Sequence, residues 1–426
     1  MDTTLFNRTA TRGRRLASAR LPLTILCVSL LFEYLRIHDI VPILGKLKIQ
    51  TAFQALLVLI VIRQIREAKI RFAPQSRLLL SFLAVAFITF PLATNWYYAY
   101  DFAYSLALTS TGYFGIVYII RREQDLRTFF AWLIGIHIYL ALRYRGGGAG
   151  GYFLGDENDF SLALNIALPL AVYLFRQAPT TRRRIGWGVG IGAMVIAIVF
   201  SSSRGGFVGL VAIGLYWAIT SRKKGEALGT VVLAGILVLA IAPPEYWTRI
   251  QTITSTEEGS AQERRYYWAA ARREFMTSPI WGVGGGNFGV LLPDYADEFP
   301  EDKRPNQWGR ATHSLYFQIL AEFGLLGVSL IGGILVLSYR DLRHIRTLAR
   351  KGRCSRSIEQ LAECLQLSWV GFLVSGAFIS VLSYPHLYYL TALTIVAYRF
   401  ALEQSISPTP QPSKPAQSAI ARRSTA

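Results

Sequence analysis

Apolar runs recur along the chain from Leu21 to Ala401, broken by short polar segments rich in arginine and lysine. They occupy 20–37, 49–64, 77–93, 98–120, 127–142, 160–176, 185–200, 205–220, 227–243, 314–338, 365–383 and 386–403. In hydrocarbon a chain must satisfy its own backbone N–H and C=O groups, and a helix of roughly 20 residues does so while crossing the bilayer. The twelve runs therefore predict an all-α, polytopic membrane protein of about twelve transmembrane helices. Several are short for a span, which tilt or burial among neighbours accommodates. No internal repeat is evident.

One polar interruption is long. It divides the chain into a transmembrane part over 1–403, a large loop over 244–312 inserted between the ninth and tenth runs, and a tail over 404–426. The tail is rich in Pro and Ser and is expected to be disordered. Within the loop, Ser260-Ala-Gln-Glu263 fits a capping box. The helix it opens would carry Arg264, Trp268 and Arg272 on one face and stop at Ser278-Pro279. With Tyr266, Tyr267 and Phe275 nearby, this helix is expected along the bilayer surface, its aromatics acting as interfacial anchors.

Composition agrees: 52% of residues are hydrophobic and 17% charged, with mean hydropathy +0.33. The formal net charge of +19 would suggest nucleic acid in a soluble protein. Here the basic residues cluster in alternate segments: Arg8 to Arg20, Arg63 to Arg77, Arg121 to Arg127, Arg176 to Arg184, Arg222 to Lys224, Arg340 to Arg356 and Arg399 to Arg423. Such placement puts both termini in the cytoplasm and the large loop outside. The charge reads as a topology signal and a contact with anionic membrane lipids, not as a nucleic-acid surface. The basic, then apolar N-terminus has no small-residue cleavage site and continues into Glu33-Tyr34-Leu35-Arg36, so it reads as a retained first span. Cys27, Cys354 and Cys364 all lie outside the large loop and indicate no disulfide framework.

Candidate chemistry gathers on the loop side. Ser201-Ser-Ser-Arg204-Gly-Gly206 is a tight hairpin between two spans, its glycines allowing close packing. Arg204 is either a cation with an anionic partner or one snorkelling to headgroups. His313 stands where the tenth span begins, at a helix end suited to an anion. An imidazole with an ordinary pKa near 6.5 either accepts a proton there or makes a structural hydrogen bond. Glu322, nine residues on, would lie roughly 13 Å deeper along a straight helix and needs a partner or a proton. Gly284 to Gly289 matches G-x-G-x-x-G, but no strand–helix unit surrounds it, so it reads as a turn-rich link whose amides could touch phosphate. Asp156, Glu157 and Asp159 lack a histidine partner; they suggest a cap for the sixth span, or pairs with Arg143 or Arg145, more than a metal site. Neither a metal nor a cofactor is expected.

Taken in order, Asp156-Glu-Asn158, Ser-Ser-Ser-Arg204-Gly-Gly, Arg264-x-x-x-Trp268, Pro279-Ile-Trp-Gly-Val-Gly-Gly-Gly-Asn287-Phe and His313-Ser-Leu-Tyr-Phe-Gln-Ile-Leu-Ala-Glu322-Phe-Gly-Leu-Leu-Gly327 resemble the O-antigen ligase/polymerase superfamily. The resemblance implies a GT-C-type glycosyltransferase of the bacterial inner membrane. Such an enzyme moves a glycan from undecaprenyl diphosphate to a hydroxyl of lipid A-core, another repeat unit or a protein, at the periplasmic face. It implies that Arg204 and Arg264 bind the diphosphate and that His313 is the base. Arg265, Asn158, Asn287 and Glu322 become candidate substrate contacts. Arg265 beside Arg264 leaves that assignment open by one position, and Ser314 stands where the family often has asparagine. The different reading is a small-anion carrier of bicarbonate type. It would need a polar path through the membrane, for which His137 and Glu322 are the candidates.

Overall fold

Every apolar run falls on a helix in a computed structural model of the protein, which describes residues 20–37, 41–68, 72–143, 154–241, 259–301 and 307–406. The principal helices are α1 (Arg20–Tyr34), α2 (Ile49–Ala68), α3 (Pro74–Thr89), α4 (Trp96–Ile119), α5 (Glu123–Arg143), α6 (Glu157–Arg176), α7 (Thr181–Phe200), α8 (Arg204–Thr220), α9 (Lys224–Ile241), α10 (Gly259–Thr277), α11 (Leu315–Arg350), α12 (Arg356–Gly376) and α13 (Pro385–Ile406). No strand occurs among the described residues. Seven of these helices, α2 to α7 and α11, are long and apolar enough to cross a membrane. The tail after Ile406 and the Gly146–Gly151 loop lie outside the described residues.

The fold is built around α6, which packs against α5, α7, α8 and α12. Small residues let the backbones approach: a Cβ on Gly206 would overlap Ser161 of α6, and one on Gly209 would overlap Ser375 of α12. Buried polar side chains then pin backbone to backbone. Asn165 Nδ2 donates to Gly206 O at 2.8 Å and to Ser375 Oγ at 3.2 Å, and Ser368 Oγ donates to Ile166 O at 2.7 Å. At the end opposite the loop, Arg176–Glu363 (2.7 Å) and Arg222–Glu359 (2.9 Å) tie α6, α8 and α12 together.

α10 is described from Gly259, and the side chain of Ser260, the expected cap, lies outside what the structure describes. Two elements differ from the sequence expectation. α12 starts at Arg356, capped by Ser355, and ends at Gly376; the remaining apolar residues form the connection to α13. That connection is buried but not helical, because side chains replace the helical ladder. Leu382 N–H donates to Gln318 Oε1 at 3.1 Å, and Tyr388 OH donates to Leu382 O at 2.6 Å.

The second difference is a break in α11. Gly324 adopts φ +57°, ψ −153°, which only glycine takes readily. The freed backbone groups find partners in the glycine-rich segment. Leu325 and Leu326 N–H donate to Pro279 and Ile280 O at 2.8 and 3.1 Å. In return, Val283 and Gly284 N–H donate to Ala321 and Glu322 O at 2.9 and 3.0 Å. Glu322 rides on the short helical segment between Leu315 and Phe323 that precedes the break.

Candidate active site

His313 is held from both sides. It has φ +48°, a left-handed backbone that histidine tolerates better than most residues but that still stores strain. Thr312 shapes this turn, accepting from Ser314 N–H at 3.4 Å and bonding Ser380 Oγ at 2.7 Å. Ser314, the N-cap of α11, makes no side-chain capping hydrogen bond. α10 closes the other side. Trp268 Nε1 donates to Thr312 O at 3.1 Å, and its indole stacks on Phe317 at 5.1 Å. Tyr267 is buried with its ring 5.8 Å from the imidazole. Trp268 and Tyr267 of α10 thus pack against the start of α11.

The same packing sets the charge around the histidine. Burial lowers its pKa from the usual value; Arg264 and Arg310 lower it further, while Asp156 and Glu263 oppose them. Three stretches of chain, at Asp156, at Glu263-Arg264 and at Arg310 to His313, therefore place charge near one imidazole. Arg264 is half-buried; Arg265 and Arg272 are exposed.

Asp156 leads to Arg204. Its Oδ1 accepts from Asn158 and Asp159 N–H at 2.7 and 2.9 Å, so it caps α6, as anticipated. Asn158 Oδ1 accepts from Ser203 Oγ at 2.8 Å, and Ser203 Oγ accepts from Gly206 N–H at 2.9 Å, capping α8. Arg204 follows at once and is half-buried. Ser201 Oγ sits 2.7 Å from Ser161 Oγ and fixes the other limb of the hairpin. Asn158 thus sets the hairpin that presents Arg204. Asp159 is buried; its Oδ2 accepts from Tyr384 OH at 3.1 Å and its Oδ1 has no hydrogen-bond partner among the described residues. Among the described residues no group of acidic, cysteine and histidine side chains could hold a metal.

The glycine segment behaves differently from the expectation of amides open to phosphate. Glu322 is buried and its carboxylate accepts from Gly286 and Phe288 N–H, with Gln318 Nε2 3.3 Å from its Oε2. Asn287 is fully buried; its Oδ1 accepts from Asn95 N–H at 2.8 Å, and its Nδ2 donates to Asn95 O and Gly285 O at 3.1 Å each. Both side chains are spent on backbone that positions the loop. Sequence reasoning overlooked Glu274 of α10, which is fully buried without a hydrogen bond to either oxygen among the described residues. Burial, then Glu322 and Asp294, push its pKa to about 9. Its only sequence signal is a carboxylate within the loop helix.

Residues 189–332 match the family model described as O-antigen ligase. Over that segment the chain is similar to the O-antigen ligase family. The match runs from within α7 past the break in α11 and takes in Arg204, Arg264, Asn287, His313 and Glu322. Asp156 and Asn158 lie N-terminal to it, yet complete the surroundings of His313 and Arg204. No curated protein matches the chain.

Proposed function

We propose that this O-antigen ligase-family protein transfers a glycan from undecaprenyl diphosphate to an acceptor hydroxyl at the periplasmic face of the bacterial inner membrane, with both termini in the cytoplasm. The observation that carries the reading is His313, half-buried and bracketed by Arg264 and Arg310. Nucleotide sugars and ATP are cytoplasmic, so a transferase acting outside takes a donor already activated on a lipid. Its leaving group is then a diphosphate, which arginine matches in charge and in fork geometry.

In this mechanism the neutral imidazole accepts the acceptor's hydroxyl proton as that oxygen bonds to the anomeric carbon. The bond from that carbon to the phosphate oxygen breaks, and undecaprenyl diphosphate leaves with the electron pair. Arg204 and Arg264 stabilise the charge that develops on it. A depressed histidine pKa serves this role, because the base must be unprotonated before the acceptor arrives. Acceptors fitting this chemistry are lipid A-core, a second lipid-linked repeat or a protein hydroxyl. The proposed division of the chain remains a transmembrane part over 1–403 with the catalytic loop over 244–312.

The carrier reading finds little support. His137 is buried and its Nδ1 lies 2.7 Å from Leu133 O, while Glu322 is committed to the glycine segment. The test is deletion followed by glycolipid gel analysis, with complementation by Arg204→Ala, Arg264→Ala and His313→Asn. Polymer accumulating on its carrier identifies a ligase; single repeat units identify a polymerase. Normal surface glycan with all three variants inserted in the membrane would refute the proposal.

A further inference from the structure

Away from His313, a small cavity lies inside the bundle between α1, α2, α4 and α13. Its polar lining is Ser29, Glu33, Gln50, Gln54, Thr111 and Tyr389. About 20 Å³ is open to the centre of a water-sized sphere, room for a single small ion or water. A carboxylate in such a place is expensive unless something balances it.

The hydrogen bonds show what would balance it. Ser29 Oγ donates its proton to Leu26 O at 2.7 Å, and Thr111 Oγ1 donates to Ala107 O at 3.3 Å. Tyr389 OH donates to Glu33 Oε2 at 2.5 Å. Each hydroxyl has spent its only proton, so what it offers the cavity is lone pairs. Gln50 and Gln54 make no side-chain hydrogen bond among the described residues and can each turn a carbonyl oxygen inward. No lysine, arginine or histidine lines the cavity. Beside the apolar Phe32, Phe53, Leu57 and Leu108, the polar part of the lining is thus a set of hydroxyl and amide carbonyl oxygens around the Glu33 carboxylate.

Gly112 shows that the arrangement is built by the packing. A Cβ there would overlap the Tyr389 hydroxyl. Only glycine on α4 lets α13 bring that phenol up to Glu33.

We infer that this cavity is a binding site for a monovalent alkali cation of sodium size, with Glu33 as the anionic ligand and Ser29, Thr111 and Tyr389 as neutral oxygen ligands. One carboxylate neutralises one charge, which excludes a divalent ion on balance. Hydroxyl and carbonyl oxygens beside a carboxylate suit a hard cation better than an anion. The site is independent of the donor chemistry at His313, so either proposal can fail alone.

The test uses the purified full chain in detergent. Thermal unfolding is followed in sodium, potassium and choline chloride at equal ionic strength, and binding of radioactive sodium is measured in parallel. The wild type melts higher in sodium than in choline, saturably, and binds radioactive sodium that excess unlabelled sodium displaces. Glu33→Gln abolishes both effects, and Thr111→Val, which keeps shape and carboxylate but removes an oxygen, weakens sodium binding several-fold. Identical wild-type melting in sodium and choline, or no displaceable sodium, overturns the inference. So does sodium binding by Thr111→Val and a folded Glu33→Gln that matches the wild type. If Glu33→Gln does not fold, the wild-type and Thr111→Val measurements still decide the question.

Discussion

Replacing Glu322 with leucine separates a loop anchor from a substrate contact. The carboxylate accepts two buried backbone N–H groups, from Gly286 and Phe288. A leucine fills a similar volume but accepts nothing. Each stranded buried donor costs about 1–3 kcal/mol, so the pair costs about 2–6 kcal/mol. The loss falls on the glycine segment, which the Val283 and Gly284 amides and Asn287 would still hold against α11 and α4. Local opening should therefore become easier while the rest of the fold stays intact. Even the lower figure of about 2 kcal/mol corresponds to roughly 30-fold faster exchange of the amides at 282–289. Hydrogen exchange read by mass spectrometry in detergent or nanodiscs measures this directly. Glu322→Gln retains one acceptor oxygen and should fall between wild type and leucine. Transfer activity should fall in the same order, because this segment braces the start of α11 and with it His313. Unchanged exchange at Gly286 and Phe288 in the leucine variant would refute the reasoning. If transfer were lost all the same, Glu322 would be a substrate contact.

Three further outcomes follow from the same geometry. The acid limb of transfer should lie below the usual histidine range, because activity needs neutral His313 and burial with Arg264 and Arg310 lowers its pKa. Arg310→Gln should move that limb to higher pH and Asp156→Asn to lower pH; shifts in the opposite sense in a pH–rate profile would break the electrostatic argument. Ser203→Ala should cost about 1 kcal/mol of stability through the lost cap of α8, and more in transfer, since it also releases the bond to Asn158 that orients the hairpin bearing Arg204; the melting temperature and kcat/KM, measured together, separate the two. Glu274, with its pKa raised to about 9, makes docking of α10 most favourable below the ordinary carboxyl pKa of 4.5 and weakens it progressively as pH rises to about 9. Glu274→Gln should flatten that decline in a melting series across this range, and a series that stays as steep as the wild type would show that Glu274 is not its source.

What the sequence made legible was local. Apolar runs located the helices, Ser278-Pro279 marked the stop after α10, and small residues at 205 and 206 announced a close crossing. These follow from backbone chemistry acting over a few residues. The meeting of Asp156, Glu263, Arg264 and Arg310 around His313 depends on how α6 and α10 pack on the start of α11, and no local pattern encodes it. Gly324 was hidden for a different reason. A glycine within an apolar run reads as continuous helix, and only the carbonyls of Pro279 and Ile280, each 46 residues from the amide it accepts from, make the break possible in backbone terms.

That break also explains why the glycine-rich segment misled as a phosphate cradle. A run of glycines lets backbone approach another body closely, whatever that body is. In this protein the other bodies are α11, met by Gly282, and the start of α4, met by Gly285 and Gly286. Added Cβ atoms on Gly282 and Gly324 would run into the backbone of Glu322 and of Pro279 and Ile280 respectively. The glycines are thus consumed in docking one piece of chain onto another, and Glu322 and Asn287 complete that docking from each side. On the proposed mechanism, phosphate recognition falls instead to side chains on separate elements, Arg204 on α8 and Arg264 on α10. Such a division suits a membrane transferase: the rigid glycine brace fixes the histidine, while two arginines from different helices can meet a diphosphate that arrives from the lipid.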